Sequence, residues 1–297
     1  MPGHEWTRRC RCKRFGIYPV KSCAGVRLRS VELLETGLEW DRTWMVVDED
    51  GEFVSQRELP RMALIRPRLR LGRLELSAPG MLTLHLALDA AEARCRVRAW
   101  DDVVDAYDMG ELAAQWVNDF LQPPTGVGPL RLARFDPDQR RLSPLHWTGG
   151  IEACTTFSDG FALLVLSRAV LDELNCRLVL QGAAPAGVER FRPNLVVGGV
   201  PAHAEDGWQR LEWHAEGVPA QAPAAHLDLV KPCSRCRIPD VDPQRGVPDD
   251  VVSPVLRTCR HHERLRGAAT FGTNAIVRAG VGQMGHEGMR GLAWPHR

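Results

Sequence analysis

Lysine is nearly absent from this chain. Lys13, Lys21 and Lys231 are the only lysines among 38 basic residues, so arginine supplies almost all of the positive charge. The 37 acidic residues leave a formal net charge of +1, which gives no general attraction to nucleic acid or to an anionic membrane surface. We therefore expect no nucleic-acid partner, and any anion-binding site must be local.

Long apolar runs are missing as well. No stretch approaches the roughly 18 apolar residues that a membrane-spanning helix requires, and no apolar segment follows the basic N-terminus as it would in a secretory signal. The nine cysteines are odd in number and scattered, which argues against a secreted disulfide framework. These absences predict a cytoplasmic protein in a reducing compartment, without a membrane span.

Built-in redox centres have no signature in the sequence either. No G-x-G-x-x-G loop follows a strand pattern, and no four cysteines have iron–sulfur spacing. A pyridoxal phosphate site is not expected. Redox chemistry would therefore need another cofactor and an external source of electrons.

The apolar pattern present is that of a mostly β protein with a few helices. Short alternating segments separated by turn residues occupy residues 14–88, and residues 111–121 have helical spacing. A second helix is predicted over residues 167–178, with Ser167 as its N-cap. The composition, 44% hydrophobic and 25% charged over 297 residues, is typical of one large or two ordinary globular domains.

A Pro- and Gly-rich stretch at residues 122–130 is the clearest break in the first half of the chain. We predict an N-terminal β-barrel-like domain over residues 14–125 and a mostly β (α+β) domain over residues 126–297.

Cys233 and Cys236 form a C-x-x-C pair that allows three interpretations. A structural zinc site needs four N or S ligands, and Cys259 with the two histidines near it could supply the other half. A thioredoxin-like dithiol needs a helix N-terminus, whereas Pro232 precedes the pair and no helical pattern follows it. Two small buried thiols at the end of a strand are the third interpretation. The spacing alone does not choose between them.

Five segments shift the interpretation towards a metal cofactor. In chain order they are IYPVKSCAGVRL (17–28), GLEWDRTWMVVDEDGEFVSQRELPRM (37–62), FSDGFALLVLS (157–167), RFRPNLVV (190–197) and PCSRCRIPDVDPQRG (232–246). Over about residues 14 to 277, the chain resembles the family of molybdenum cofactor sulfurase C-terminal (MOSC) domain proteins with an N-terminal MOSC β-barrel domain. It is most similar to the branch with the mitochondrial amidoxime reducing component and bacterial N-hydroxylated base reductases.

The resemblance implies a molybdenum–molybdopterin cofactor (Mo-MPT) whose metal is bound by one protein cysteine. By position that ligand is Cys236, which would be both metal ligand and catalytic residue, and Cys233 need not bind anything. Thiolate is a soft, charge-donating ligand suited to a metal that the pterin sulfurs already hold.

The implied cofactor ends in a phosphate, so it requires clustered cations, hydroxyls and backbone N–H groups. Positions on the family segments predicted to contact it are Lys21, Ser22, Arg42, Arg192, Asn194, Ser234 and Arg235. Arg192 is favoured because Pro193 is expected to hold the preceding residue extended. Gln56 and Arg57 belong to a segment that lines the cleft between the domains in the family.

Asp159, in the stretch FSDG, matches an acidic position near the metal in the family. The resemblance implies that it orients the substrate or relays a proton to the departing oxygen, and so belongs among the catalytic residues. An equally simple interpretation is that Ser158 and Asp159 cap a helix that starts near Gly160.

The implied architecture is an N-terminal MOSC β-barrel domain followed by a MOSC β-barrel with a few helices, with the cofactor in the cleft between them. The implied reaction is the two-electron reduction of N-hydroxylated small molecules: amidoximes, hydroxylamines or N-hydroxy purines. A separate haem, flavin or iron–sulfur protein would supply the electrons. Two alternatives stay open, a carrier of sulfur or of molybdenum cofactor and a zinc-stabilised binding module.

Both ends of the chain depart from the family pattern. Residues 1–13 lie outside the resemblance, which leaves Cys10 and Cys12 without a role. After residues 271–277, FGTNAIV, the chain is rich in glycine and lacks an alternating apolar run. If residues 280–297 are an altered end, the barrel lacks its closing strand and has an exposed edge.

Overall fold

The computed structural model describes residues 8–214 and 224–296. Strands account for 42% of the described residues. The helices of the described part are α1 (Glu111–Leu121), α2 (Leu145–Thr148), α3 (Arg168–Leu180) and α4 (Val252–Cys259). Its strands are β1 (Arg8–Ile17), β2 (Val26–Leu28), β3 (Ser30–Leu34), β4 (Gly37–Leu38), β5 (Trp44–Val47), β6 (Arg66–Arg70), β7 (Arg73–Ser77), β8 (Leu84–Ala87), β9 (Ala93–Ala99), β10 (Asp102–Asp108), β11 (Arg131–Phe135), β12 (Arg141–Leu142), β13 (Cys154–Thr155), β14 (Leu163–Ser167), β15 (Leu195–Gly198), β16 (Trp208–His214), β17 (Ala225–Ser234), β18 (Val241–Asp242), β19 (Val247–Pro248), β20 (His261–His262), β21 (Ala268–Ala279), β22 (Met284–His286) and β23 (Arg290–Pro295).

The local predictions are largely confirmed. The helix expected over residues 111–121 is α1, and the helix expected after Ser167 is α3, with the Ser167 hydroxyl accepting a hydrogen bond from the N–H of Val170. By contrast, no helix starts near Gly160, because residues 157–162 form bends that lead into β14. The interpretation of Ser158 and Asp159 as a helix cap is therefore wrong. Within the described residues, no helix is long and apolar enough to cross a membrane.

Seven strands close into a barrel in the order β14, β15, β1, β23, β16, β17 and β21, with β21 pairing back to β14. The pair β14 and β15 is parallel, and the other neighbours are antiparallel. The barrel interior is apolar and includes Phe15, whose ring packs edge-on against Trp213 at 5.4 Å. The expectation of a β-barrel with a few helices is confirmed.

The glycine-rich end closes the barrel, so the expectation of a missing strand is wrong. Strand β23 lies between β1 and β16, with Gly291 opposite Cys10 and Ala293 opposite Leu211. The sequence of β23 shows no strong apolar alternation, because the residues that point into the barrel, Gly291 and Ala293, are small. A Cβ at Gly291 would lie 2.6 Å from the Cys10 sulfur, so β1 fills the space that β23 leaves.

Seven further strands form a second body around its own core. Strands β5, β11, β10 and β9 form one sheet, β6, β7 and β8 form another, and α1 packs against them through a core that contains Trp44, Met62 and Phe120. The halves of the chain exchange strands, since β1 lies in the barrel and β11 in this second body. The division at residue 125 stays a prediction.

Candidate functional site

A cleft of about 410 Å³ opens where one end of the barrel meets the second body. It lies at the C-terminal ends of β1 and β17 and at the N-terminal ends of β14 and β15. Every residue predicted for the site lines it: Lys21, Ser22, Arg42, Asp159, Arg192, Asn194, Ser234, Arg235 and Cys236. The fold therefore brings together residues from all five segments, although their individual roles stay predictions.

Cys236 lies just beyond the end of β17 and is exposed to the cleft. Cys233 is half-buried, and its sulfur accepts a hydrogen bond from Arg235 Nη1 at 3.1 Å. A 3₁₀ turn at Ile238–Asp240 follows the pair, so the helix N-terminus that activates a thioredoxin-like thiol does not follow directly. The pair thus presents one free thiol to the cleft and one thiol that is held by a neighbouring guanidinium.

The zinc interpretation is not supported. Across residues 8–214 and 224–296, no three His, Cys, Asp or Glu side chains come close enough together to hold a metal ion. Cys259 ends α4, and its thiol donates to the carbonyl of Val255 at 3.3 Å. Cys233, Cys236 and Cys259 therefore do not form a zinc clip.

Two arginines stack on one buried tyrosine at the back of the cleft. The guanidinium carbons of Arg42 and Arg192 lie 4.5 and 4.2 Å from the centre of the Tyr18 ring. Burial and the nearby charge of Arg42 lower the pKa of Arg192 to about 10. Its buried Nη2 has no hydrogen-bond partner among the described residues. A buried, unpartnered guanidinium N–H is a ready donor for an anion.

Three residues of the cleft have an unusual backbone conformation. Ser22, Arg42 and Arg192 have left-handed φ angles of 65°, 49° and 58°. The expectation that Pro193 holds Arg192 extended is therefore wrong. The left-handed turn is stabilised instead by the stacking on Tyr18 and by the hydrogen bond from Arg192 to the carbonyl of Cys23.

Asn194 is buried and fully engaged with the protein. Its side-chain oxygen accepts from Leu164 N at 3.0 Å and from Arg42 Nη1 at 3.1 Å, while its nitrogen donates to Gly16 O at 3.2 Å and to Asp41 Oδ2 at 2.7 Å. Asp41 also forms an ion pair with Arg42. Asn194 thus orients Arg42 and joins β1 to β15, and it has little capacity left for a ligand.

Lys21 and Asp159 form an ion pair across the cleft wall. Lys21 Nζ lies 2.5 Å from Asp159 Oδ1 and 2.8 Å from the carbonyl oxygen of Phe157. Lys21 is buried, and this burial lowers the pKa of its ammonium, although Asp159 opposes the shift. Burial alone would raise the pKa of Asp159, but the charge and hydrogen bond of Lys21 and the N–H of Trp100 hold it well below its usual range. Because the Asp159 side chain is 67% exposed, solvent screens part of this effect, and the carboxylate is ionised at neutral pH.

Sequence reasoning missed an aromatic wall on the second body. The rings of Phe53 and Trp100 lie 5.1 Å apart, and the Arg57 guanidinium lies over both, 5.6 and 5.0 Å from their centres. Both aromatic residues line the cleft with Arg57 and Lys231. No local pattern could have found Trp100, because it sits in the turn between β9 and β10, far along the chain from every family segment. Gln56 is buried and donates to the carbonyl of Ser22 at 2.6 Å.

The lining of the cleft is strongly cationic. The cations that line it are Lys21, Arg42, Arg57, Arg192, Lys231 and Arg235, and Asp159 is the one carboxylate among the lining residues. Arg235 contributes a second buried N–H, its Nε, without a partner in the described part of the chain. This donor set fits a phosphate-bearing anion, and the exposed thiol of Cys236 fits a soft metal, so the residues fit a molybdenum–molybdopterin cofactor.

Comparisons with family models and with curated proteins find related sequences. Residues 10–124 match the MOSC N-terminal beta barrel domain and residues 153–282 match the MOSC domain. The chain is similar to mitochondrial amidoxime-reducing component 1 of Mus musculus, with 33% identity over 78% of this chain and 66% of the relative. For the human protein of that name the identity is 34% over the same shares, and for mitochondrial amidoxime reducing component 2 of Rattus norvegicus it is 31% over 78% and 67%. The chain thus spans about two thirds of the length of these relatives.

Proposed function

The chain belongs to the family of MOSC-domain proteins with an N-terminal MOSC β-barrel domain, and we propose that it is a molybdenum-cofactor-dependent oxidoreductase. Its substrates are N-hydroxylated compounds such as amidoximes, hydroxylamines and N-hydroxy purines. The observation that carries the proposal is one cleft in which an exposed thiol, Cys236, faces a set of cations with unpartnered N–H groups.

Each part of the cleft has a place in this function. Cys236 is the metal ligand, and Arg192, Arg235, Ser234 and Ser22 hold the anionic part of the molybdenum–molybdopterin cofactor. Asn194 and Asp41 orient Arg42, whose guanidinium adds positive charge beside the residues that hold the cofactor. The bound cofactor supplies the two-electron reduction that no side chain can perform.

The chain's own residues handle substrate and protons. The reaction converts an N–OH group, two electrons and two protons into N–H and water. Asp159 is ionised, so it accepts a hydrogen bond from an N–H or O–H of the substrate and orients it. Burial lowers the pKa of Lys21, which makes its ammonium a better proton donor to a departing oxygen than an exposed lysine would be.

The electrons come from a separate protein. Cofactors of the haem, flavin or iron–sulfur type are suited to this task, and neither a nucleotide loop nor an iron–sulfur cysteine pattern occurs in the sequence. The proposal therefore includes a redox partner that docks near the mouth of the cleft.

A second candidate function rests on the exposure of Cys236. An accessible thiol beside an anion-binding cleft also suits a protein that carries a persulfide or hands molybdenum cofactor to a client. The two functions differ in turnover, because a carrier would bind the cofactor and leave N-hydroxy compounds unchanged.

Elemental analysis of protein purified from a host that makes molybdenum cofactor tests the proposal. We expect near-stoichiometric molybdenum in the wild type, loss of the metal in Cys236→Ala and its retention in Cys233→Ala. The loaded wild type should then reduce benzamidoxime with a chemical electron donor. Molybdenum without reduction would favour the cofactor carrier, and folded protein without molybdenum would rule out the oxidoreductase and the cofactor carrier and leave only a persulfide carrier.

A further inference from the structure

The turn between β9 and β10 carries a residue that its backbone does not favour. Residues 100 and 101 alone connect these strands, because Ala99 pairs with Asp102. The first turn residue, Trp100, has a left-handed φ of 61° and is 41% exposed. Glycine, asparagine or aspartate is usual at such a position, and a bulky aromatic residue there is strained. Strained residues cluster at functional sites, so the strain at Trp100 points to a function in the cleft.

The indole of Trp100 is engaged with the carboxylate of the cleft. Its Nε1–H donates to Asp159 Oδ1 at 3.1 Å, the same oxygen that Lys21 Nζ contacts at 2.5 Å. Asp159 Oδ2 receives no hydrogen bond from residues of the described part and remains available to a substrate. The two donors thus fix the carboxylate through one oxygen and leave the other free.

A second contact ties the same hairpin to the same loop. Asp102 Oδ2 accepts from Arg141 Nε at 2.8 Å. The buried guanidinium of Arg141 also donates to the carbonyls of Thr156 and Ser158. The hairpin is therefore attached at two points to the loop that carries Asp159, which fixes the position of Trp100 despite its exposure.

We propose that Trp100 is a positioning residue that holds the Asp159 carboxylate ready for substrate and, with Phe53, whose ring is tilted 52° from the indole, forms an aromatic wall that favours planar N-hydroxylated compounds. The inference rests on the proposed function. Amidoximes and N-hydroxy purines are planar about the reacting nitrogen and can stack on one of the two rings, whereas an aliphatic hydroxylamine gains little from such a wall.

Two variants separate the two roles of Trp100. Trp100→Phe keeps an aromatic ring and loses the N–H, so kcat/KM for benzamidoxime should fall about tenfold while the preference for planar substrates persists. Loss of the donor also raises the pKa of Asp159, so the acid limb of the pH profile should move to higher pH. Trp100→Gly removes the ring as well, so the ratio of kcat/KM for benzamidoxime to that for N-cyclohexylhydroxylamine, which Trp100→Phe should leave unchanged, should fall.

The stability of Trp100→Gly distinguishes positioning from structure. Glycine suits the left-handed turn, so the thermal midpoint of this variant should equal or exceed that of the wild type although activity falls. Trp116→Phe is the matched control, because Trp116 donates its indole N–H to the carbonyl of Leu82 in the core of the second body, away from the cleft. It should leave the acid limb and the substrate ratio unchanged.

The decisive measurement does not need the cofactor. In protein labelled with ¹⁵N at tryptophan, the indole resonance lost in Trp100→Phe should shift when Asp159 is replaced by alanine, and the Trp116 resonance should not. If the Trp100 resonance does not respond, or if Trp100→Phe retains wild-type kcat/KM and pH profile, the proposal is wrong. If the wild type does not reduce N-hydroxy compounds, the proposed function fails, and this resonance together with the thermal midpoint decides whether Trp100 positions Asp159.

Discussion

Two closely spaced cysteine pairs in this protein lie in opposite environments. Cys10 and Cys12 point from β1 into the barrel, where burial raises the pKa of each thiol to about 12. Cys236 lies beyond the end of β17 and is exposed to the cationic cleft, with Cys233 half-buried beside it. The same side chain is thus a small apolar filler in one place and an accessible ligand in the other, and the fold makes the difference.

Thiol reactivity should show the largest contrast between the pairs. Iodoacetamide at neutral pH should modify Cys236 at least about a hundredfold faster than Cys10 or Cys12, because reaction requires an accessible thiolate. Peptide mapping by mass spectrometry measures the rates. Cys176, which is exposed on α3, serves as the accessible control. Comparable labelling of Cys10 in the folded protein would contradict the closed barrel.

Serine substitution should affect stability in the opposite order to thiol reactivity, with the larger loss at the buried site. Cys12→Ser places a hydroxyl in the apolar barrel interior and should lower the free energy of unfolding by about 1–3 kcal/mol. Cys236→Ser replaces an exposed side chain and should change it by less than about 0.5 kcal/mol. Urea denaturation followed by circular dichroism measures both. Equal losses in the two variants would mean that burial does not distinguish the pairs.

A size exchange tests the packing of β1 against β23. Gly291→Ala alone should cost about 1–3 kcal/mol of stability, because the new Cβ meets the Cys10 sulfur at 2.6 Å. Combining it with Cys10→Ala removes that clash, so the double variant should be more stable than the sum of the single effects predicts. Additive losses in urea denaturation would show that the two strands do not pack in this way.

Alkaline pH should destabilise the folded protein through the buried pair. The folded protein raises the pKa of Cys10 and Cys12 from 9.0 to about 12, so it holds their protons more tightly than the unfolded chain does. The resulting stability is fully present below about pH 9 and is lost as the pH rises towards 12. The free energy of unfolding should therefore decline over this range. The decline should be shallower in the Cys10→Ala, Cys12→Ala variant, and an unchanged slope would contradict the assignment.

Much of the site could be predicted from the sequence, because its residues lie on recognisable segments that occur in a fixed order. All nine predicted residues line one cleft. What the segments could not reveal is how each side chain is used. Asn194 was expected to contact the cofactor, whereas its amide is already bonded within the protein, and Trp100 belongs to no segment at all.

The ends of the chain show why prediction of the fold was incomplete. The sequence RRCRCKR alternates charged and small residues, and GLAW places small residues on the inner face of β23. Neither stretch has the large apolar side chains by which strands are recognised. The two strands fill the barrel interior only as a pair, because Cys10 of β1 occupies the space above Gly291 of β23.

The amino-acid sequence by itself determined the local structure: the alternating faces of β17, the start of α3 after its N-cap Ser167 and the position of the C-x-x-C pair at the end of a strand. Side-chain direction repeats every two residues in a strand, so these features depend on near neighbours only. Closure of the barrel and assembly of the cleft were decided by the tertiary structure. The contact between Lys21 and Asp159 spans 138 positions, and that between Arg42 and the carbonyl of Arg192 spans 150. Such pairs meet because burial and shape complementarity select which strands become neighbours, and no short stretch of sequence contains that information.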